Sequence, residues 1–248
     1  MADHWATYLC NVNGSIASIF LNIALAQGAP IADKHLLQWV FLRLKSPRPD
    51  GLSATEEMAV LIDIEEALIR ELFTSCHAVL GGRITTLGIR EFYFYGQSID
   101  QFEDAVRAAL QPFAGYEFAL GNQEDRKWSQ YFDVLYPPPE EMQRISNWEL
   151  LERMRYAGDD LSVVREVNHW LYFPSKQARR SFQEASVQAG FKVTSDAKGN
   201  EPFPSGIVVM REQAIEEKLI NATVIELFRL AKQFGGEYDG WEAPQMVN

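Results

Sequence analysis

The run Leu135-Tyr136-Pro137-Pro138-Pro139 constrains this chain more than any other feature. Consecutive prolines lock φ and remove backbone donors, so neither a helix nor a central strand passes through them. The 248 residues therefore divide into a first domain over 1–137 and a second over 138–248. Both are long enough to bury a core, since domains commonly hold roughly 100–200 residues.

Charge separates the halves only weakly. Basic and acidic residues number 10 and 17 up to Pro137, and 13 and 17 beyond it. The halves therefore carry −7 and −4, together the chain's −11. Neither has the basic excess of a nucleic-acid module or of a surface drawn to anionic membranes. The greasiest stretch, Ile16–Ala26, is interrupted by Ser18 and Asn22 and is shorter than the ~20 apolar residues that span a bilayer. The opening Met1-Ala2-Asp3-His4-Trp5 lacks the pattern of a secretory signal, and Cys10 and Cys76 make neither a disulfide scaffold nor a zinc site. A cytoplasmic protein without metal or cofactor is expected.

In the first half, Asn13-Gly14 links Trp5–Val12 to Ser15–Leu25 as a hairpin, because this pair tolerates the positive φ of a type I′ turn. His35–Leu44 reads as a further strand. Ser53-Ala54-Thr55-Glu56 has the spacing of a capping box before a helix with Met58, Leu61, Ile62, Leu68, Ile69 and Leu72 on one face. Glu56, Glu57, Asp63, Glu66 and Glu71 read as its solvated side. Glu65 falls inside the apolar stripe, where a salt bridge to an arginine is expected. Ala78–Thr85 and Ile89–Tyr95 are strands joined around Leu87-Gly88, and Gly81-Gly82 marks a bulge or a close backbone approach. A helix follows Ser98, then strands over Tyr116–Leu120 and Tyr131–Leu135.

The second half reads as a helix from Pro139 to Tyr156 and a strand over Glu166–Phe173. Ser175 then caps a helix, Phe191–Ser195 and Gly206–Arg211 are strands, and a final helix ends at Gly235-Gly236. A β–cap–α–Gly–aromatic–β pattern occurs twice, from Phe92 and from His169. Duplication or the shared physics of a βαβ unit both account for it. The economical architecture is α+β: two ferredoxin-like sandwiches in tandem, the first with an added N-terminal hairpin.

No nucleophile motif, phosphate loop or metal-ligand spacing is present, and His4, His35, His77 and His169 are scattered. No catalytic, cofactor or metal residue is assigned. One alternative is an enzyme using His169 and Glu166, although period-2 alternation puts these on opposite strand faces. Another is a single-strand RNA binder that stacks bases on Tyr93 and Tyr95, should that pair face away from the helices. The electropositive groove that normally accompanies stacking is missing, so packing is the more economical use.

The second half resembles the bacterial family called regulator of ribonuclease E activity B, over roughly 139–242. The resemblance rests on Tyr156-Ala157-Gly158-Asp159-Asp160, Arg165-Glu166-Val167-Asn168-His169-Trp170-Leu171-Tyr172-Phe173, Ala189-Gly190-Phe191-Lys192-Val193 and Gly236-Glu237-Tyr238-Asp239-Gly240-Trp241-Glu242. The first half resembles an uncharacterised bacterial domain often fused to it, through Gly82-Arg83 and Arg90-Glu91-Phe92-Tyr93-Phe94-Tyr95. The resemblance implies a ferredoxin-like, non-catalytic protein that binds ribonuclease E and restrains RNA cleavage. Asp239, Trp241 and Glu242, with His169 and Tyr172 on the aromatic strand, are the candidate contacts: acids for complementarity, an indole for buried area. A purely structural corner, with Tyr238 and Trp241 folded onto the sheet and Gly240 making the turn, is the other use of that segment.

Overall fold

Two residues set the first hairpin. Asn13 and Gly14 both have positive φ (52° and 87°), joining β1 (Trp5–Val12) to β2 (Ser15–Asn22) in an unbroken antiparallel register. The computed structural model describes residues 2–246 and divides into two compact units, Met1–Pro137 and Pro138–Asn248. β2 stops short of Leu25 because the Asn22 carboxamide accepts the Ala24 N–H (3.2 Å) and starts a 3₁₀ turn, Ile23–Gln27.

The remaining elements of the first unit are β3 (Leu36–Arg43), α1 (Met58–Cys76), β4 (Val79–Thr86), β5 (Ile89–Gly96), α2 (Phe102–Leu110) and β6 (Phe118–Glu124). The six strands lie in the order β1-β2-β4-β5-β3-β6, every neighbour antiparallel. α1 and α2 pack on one face against Val40, Leu42, Leu80, Phe92 and Phe94. Gly81-Gly82 does mark a bulge, and a Cβ on Gly82 would stand 2.6 Å from the Phe20 carbonyl oxygen.

Several local expectations for this unit need correcting. Ser53 makes no capping box: its hydroxyl accepts from Arg90 (3.0 Å), and α1 is entered through a 3₁₀ turn, Thr55–Glu57. Ile62 is exposed, whereas Ile64 is buried. Glu57 turns inward, where burial alone would raise its pKa. The N–H groups of Lys45 and Ser46 and the Tyr116 hydroxyl all donate to its carboxylate, and together they lower it instead. Glu65 pairs with Arg83 as expected.

Tyr131–Leu135 is not a strand but part of a π-helical turn, Gln130–Leu135. The Asp125 carboxylate organises it by accepting the N–H groups of Ser129 (2.8 Å) and Gln130 (3.0 Å) together with the Tyr95 hydroxyl (2.8 Å). This turn covers the sheet face away from the helices. Trp128 lies flat on Tyr95 at 3.9 Å, and Tyr131 is fully buried. Tyr93 is buried as well, with its hydroxyl donating to Glu91. The Tyr93/Tyr95 face is thus occupied by the chain itself, and neither ring is open to stack a base.

The second unit runs α3 (Pro139–Tyr156), β7 (Arg165–Phe173), α4 (Lys176–Gln188), β8 (Lys192–Lys198), β9 (Ser205–Gln213), α5 (Glu217–Gln233) and β10 (Glu237–Glu242). Pro139 opens α3 at a position where its missing N–H costs nothing. Ser175 caps α4 by accepting the Ala178 N–H (3.1 Å). The antiparallel order is β10-β7-β9-β8, and the three helices share one core with Val167, Leu171, Phe173, Ile207 and Val209. β10, the segment after the final helix, is a strand that the sequence pattern left unassigned. Its approach needs Gly236, because a Cβ there would stand 2.3 Å from the Phe173 ring.

Both units contain the succession strand–helix–strand–strand–helix–strand with its strands in the same spatial order. The sequence echo, however, matches β5-α2-β6 with β7-α4-β8, the second crossover of one unit with the first of the other. Physics common to βαβ units accounts for that echo better than an aligned duplication does.

Candidate docking edge of the second unit

Three of the four motif segments meet at one edge of the second sheet: the loop after α3, β7 and β10. Arg165, the first residue of β7, joins the loop to the residues beyond β10. Its guanidinium donates to the Asp159 carboxylate (2.7 Å), the Pro244 carbonyl (3.1 Å), the Val163 carbonyl (3.0 Å) and the Asp160 carbonyl. Arg165 and Asp159 side chains are both completely buried, so the pair sits where an unmatched charge would be costly. The Gln245 side chain adds a bond to the Ala157 carbonyl (3.0 Å), and the Asp160 N–H one to the Met246 carbonyl (2.9 Å).

Alternation along β7 sorts its motif residues. Val167, His169, Leu171 and Phe173 face the helices, while Asn168, Trp170 and Tyr172 on the other face are half-buried and Glu166 is exposed. His169 is fully buried and shares a hydrogen bond of 2.9 Å with the Tyr238 hydroxyl of β10. Burial, then the positive charge of Arg211, brings its pKa down to about 3, so the ring is neutral. Burial, then the Asp239 carboxylate, holds the Tyr238 hydroxyl well above its usual range.

These positions correct the expectation that His169 touches a partner, since no surface of it is available. His169 and Glu166, on opposite faces, form no acid–base pair. Among the described residues, no group of three or more His, Cys, Asp or Glu side chains could hold a metal ion.

Trp241 is half-buried. Its indole N–H donates to the Asn147 carboxamide of α3 (2.8 Å), which in turn donates to Asn221 of α5 (2.8 Å). The sequence reading missed both asparagines. The available signal was an amide inside a helix, between Ser146 and Trp148 in one case and after Ile220 in the other, where a poor helix former is favoured chiefly by what its side chain bonds. Asp239 stands exposed at a bulge between Tyr238 and Gly240, and Glu237 and Glu242 are exposed beside it. Around the corner, Tyr156 is 96% exposed, and Val163 and Val164 are exposed too. The arrangement is a rigidly framed edge with a carboxylate rim.

An edge of this kind is a candidate docking surface, and comparison with known proteins places the chain in two families. Residues 3–136 match the family of unknown function DUF695, and residues 144–243 match the family Regulator of ribonuclease activity B; the chain belongs to both. The resemblances read from the sequence are thereby borne out. The protein named Regulator of ribonuclease activity B in Escherichia coli (strain K12) is 31% identical over 112 residues, covering 42% of this chain and 78% of that protein. The Shigella flexneri protein of the same name gives the same figures. A solved structure titled "Crystal Structure of an Unknown Protein from Galdieria sulphuraria" is 11% identical with a TM-score of 0.23, covering 86% of this chain and 99% of that one. At that score it carries no argument. Among the described residues, no helix is long and apolar enough to cross a membrane.

Proposed function

We propose that this protein is a non-catalytic regulator that restrains a ribonuclease of the ribonuclease E type, in the cytoplasm, by protein–protein contact through the β10 edge. The observation that carries this reading is the convergence of the family-matched segments on one framed, acid-rimmed edge. Asp239 and Glu242 supply the charge that meets a basic surface of the nuclease. Trp241 and Tyr172 supply apolar area on either face of the sheet. Two exposed carboxylates opposite cations speed encounter and make it salt-sensitive. In this reading both units follow the ferredoxin-like plan, the first with a hairpin added to it. The order β10-β7-β9-β8 and its counterpart β6-β3-β5-β4 support that plan.

The test is RNA cleavage by purified ribonuclease E with increasing amounts of the full chain, at low and at raised salt. Cleavage should slow in proportion to the added chain, and raised salt should weaken the effect. Cleavage indifferent to the chain at both salt concentrations would remove the proposal.

A further inference from the structure

Four strands end the two sheets: β1 and β6 in the first, β10 and β8 in the second. An edge strand leaves a row of N–H and C=O groups available to another chain, and folded proteins commonly blunt it with charge, proline or a bulge. β10 has Glu237, Asp239, Glu242 and a bulge. β8 has Lys192, Asp196, Lys198 and a register shift between Val193 and Ser195. β6 closes on Gln123-Glu124.

β1, Trp-Ala-Thr-Tyr-Leu-Cys-Asn-Val, has no charge, no proline and no break in its register with β2. It lies within residues 5–32, which contain no Asp, Glu, Lys or Arg in a chain where 23% of residues are charged. The Ile23 N–H donates to the His4 carbonyl (2.7 Å), which fixes the phase of the ladder. Ala6 and Tyr8 share that phase and bond toward β2, so the amides and carbonyls of Thr7, Leu9 and Asn11 point away from it. The side chains of Thr7, Leu9 and Asn11 are exposed, Leu9 at 55%.

We propose that β1 pairs with β1 of a second copy of this chain, antiparallel across a two-fold axis, with Leu9 opposite Leu9. This register sets Thr7 opposite Asn11 and Tyr8 opposite Cys10, so polar meets polar and apolar meets apolar. The contact is self-complementary, as a two-fold interface must be. Charge selects the occupant. A basic partner would find nothing complementary on this strand. Two copies each carrying −11 repel almost everywhere, but here they meet without opposing carboxylates.

Sedimentation equilibrium of the full chain over a concentration series, at low and at raised salt, tests this. The mass should rise from 28.2 kDa toward twice that value, more readily at raised salt. Leu9→Lys and Leu9→Glu place like charges opposite each other, and each should raise the dimer dissociation constant about tenfold or more. Mixing the two variants should restore association, which a folding defect would not allow. Three results would overturn the proposal: a wild type at monomer mass throughout, dimers indifferent to both substitutions, or a mixture that stays monomeric. The nuclease assay reads a different unit, so failure of either proposal leaves the other standing.

Discussion

The two units share an order of strands and helices but place their buried polar groups differently. In the first, the most buried cation is Arg90, whose guanidinium reaches the hydroxyls of Ser53 (3.0 Å) and Thr85 (3.3 Å) and pairs with no carboxylate among the described residues. Burial, then the charge of Arg83, brings its pKa down to about 10. In the second unit the buried cation is matched by a carboxylate, Arg165 by Asp159, and His169 with Tyr238 and Trp241 with Asn147 and Asn221 pair along the same edge. The difference teaches what the motif residues do. They hold β10 on β7 and leave the residues between them, Asp239 and Glu242, to face outward.

Hydrogen exchange of the full chain, read unit by unit, can break or sharpen this contrast. The largest effect should come from Arg165→Met, which strands the Asp159 carboxylate in the interior. We expect about 3–5 kcal/mol lost from the second unit, with the first unit unchanged. Equal loss in both units would mean that the edge is not a separate frame.

Acid should act next. The folded-state pKa of His169 lies below its unfolded value, so the unfolded chain binds the extra proton. This contribution to stability is full above about 6.5 and declines as pH falls toward 3. At pH 5 the second unit should have lost about 2 kcal/mol through this group. His169→Gln, which keeps a partner for Tyr238, should remove that part of the acid sensitivity. An unchanged pH profile in the variant would show that His169 is not the sensor.

Trp241→Phe leaves the Asn147 carbonyl oxygen buried without its donor. It should cost about 1–2 kcal/mol, detected as faster exchange in β10. The smallest effect belongs to the first unit. Arg90→Met exchanges an incompletely bonded buried cation for an apolar side chain of similar length, and should change stability by less than about 1 kcal/mol. A loss as large as that of Arg165→Met would erase the distinction between the units.

Local signals carried much of this fold. Asn13-Gly14, Leu87-Gly88 and Ser175 each act through nearby backbone geometry, and two hairpins and a helix formed beside them, while the proline run ended one element and opened α3. Alternation placed Val167, His169, Leu171 and Phe173 on one face of β7. What escaped depends on distant partners. Tyr131–Leu135 has a strand-like composition, but Asp125 and Tyr95 bend it into a π-helical turn. Glu57 looks like one more solvated acid until the N–H groups of Lys45 and Ser46 claim it.

The candidate site divides in the same way. Its acids and its indole were legible as residue types in a distinctive run. Their sorting into frame and rim follows from the pairing of β10 with β7, and no local pattern announces that pairing.

The most direct test of the framed edge is equilibrium titration of purified ribonuclease E with three forms of the full chain: wild type, Asp239→Lys/Glu242→Lys, and His169→Gln. The account predicts that the double charge reversal, on exposed side chains, weakens binding by about tenfold or more without loss of fold, and that His169→Gln binds as the wild type does. Equal affinity of the double variant and the wild type would contradict it.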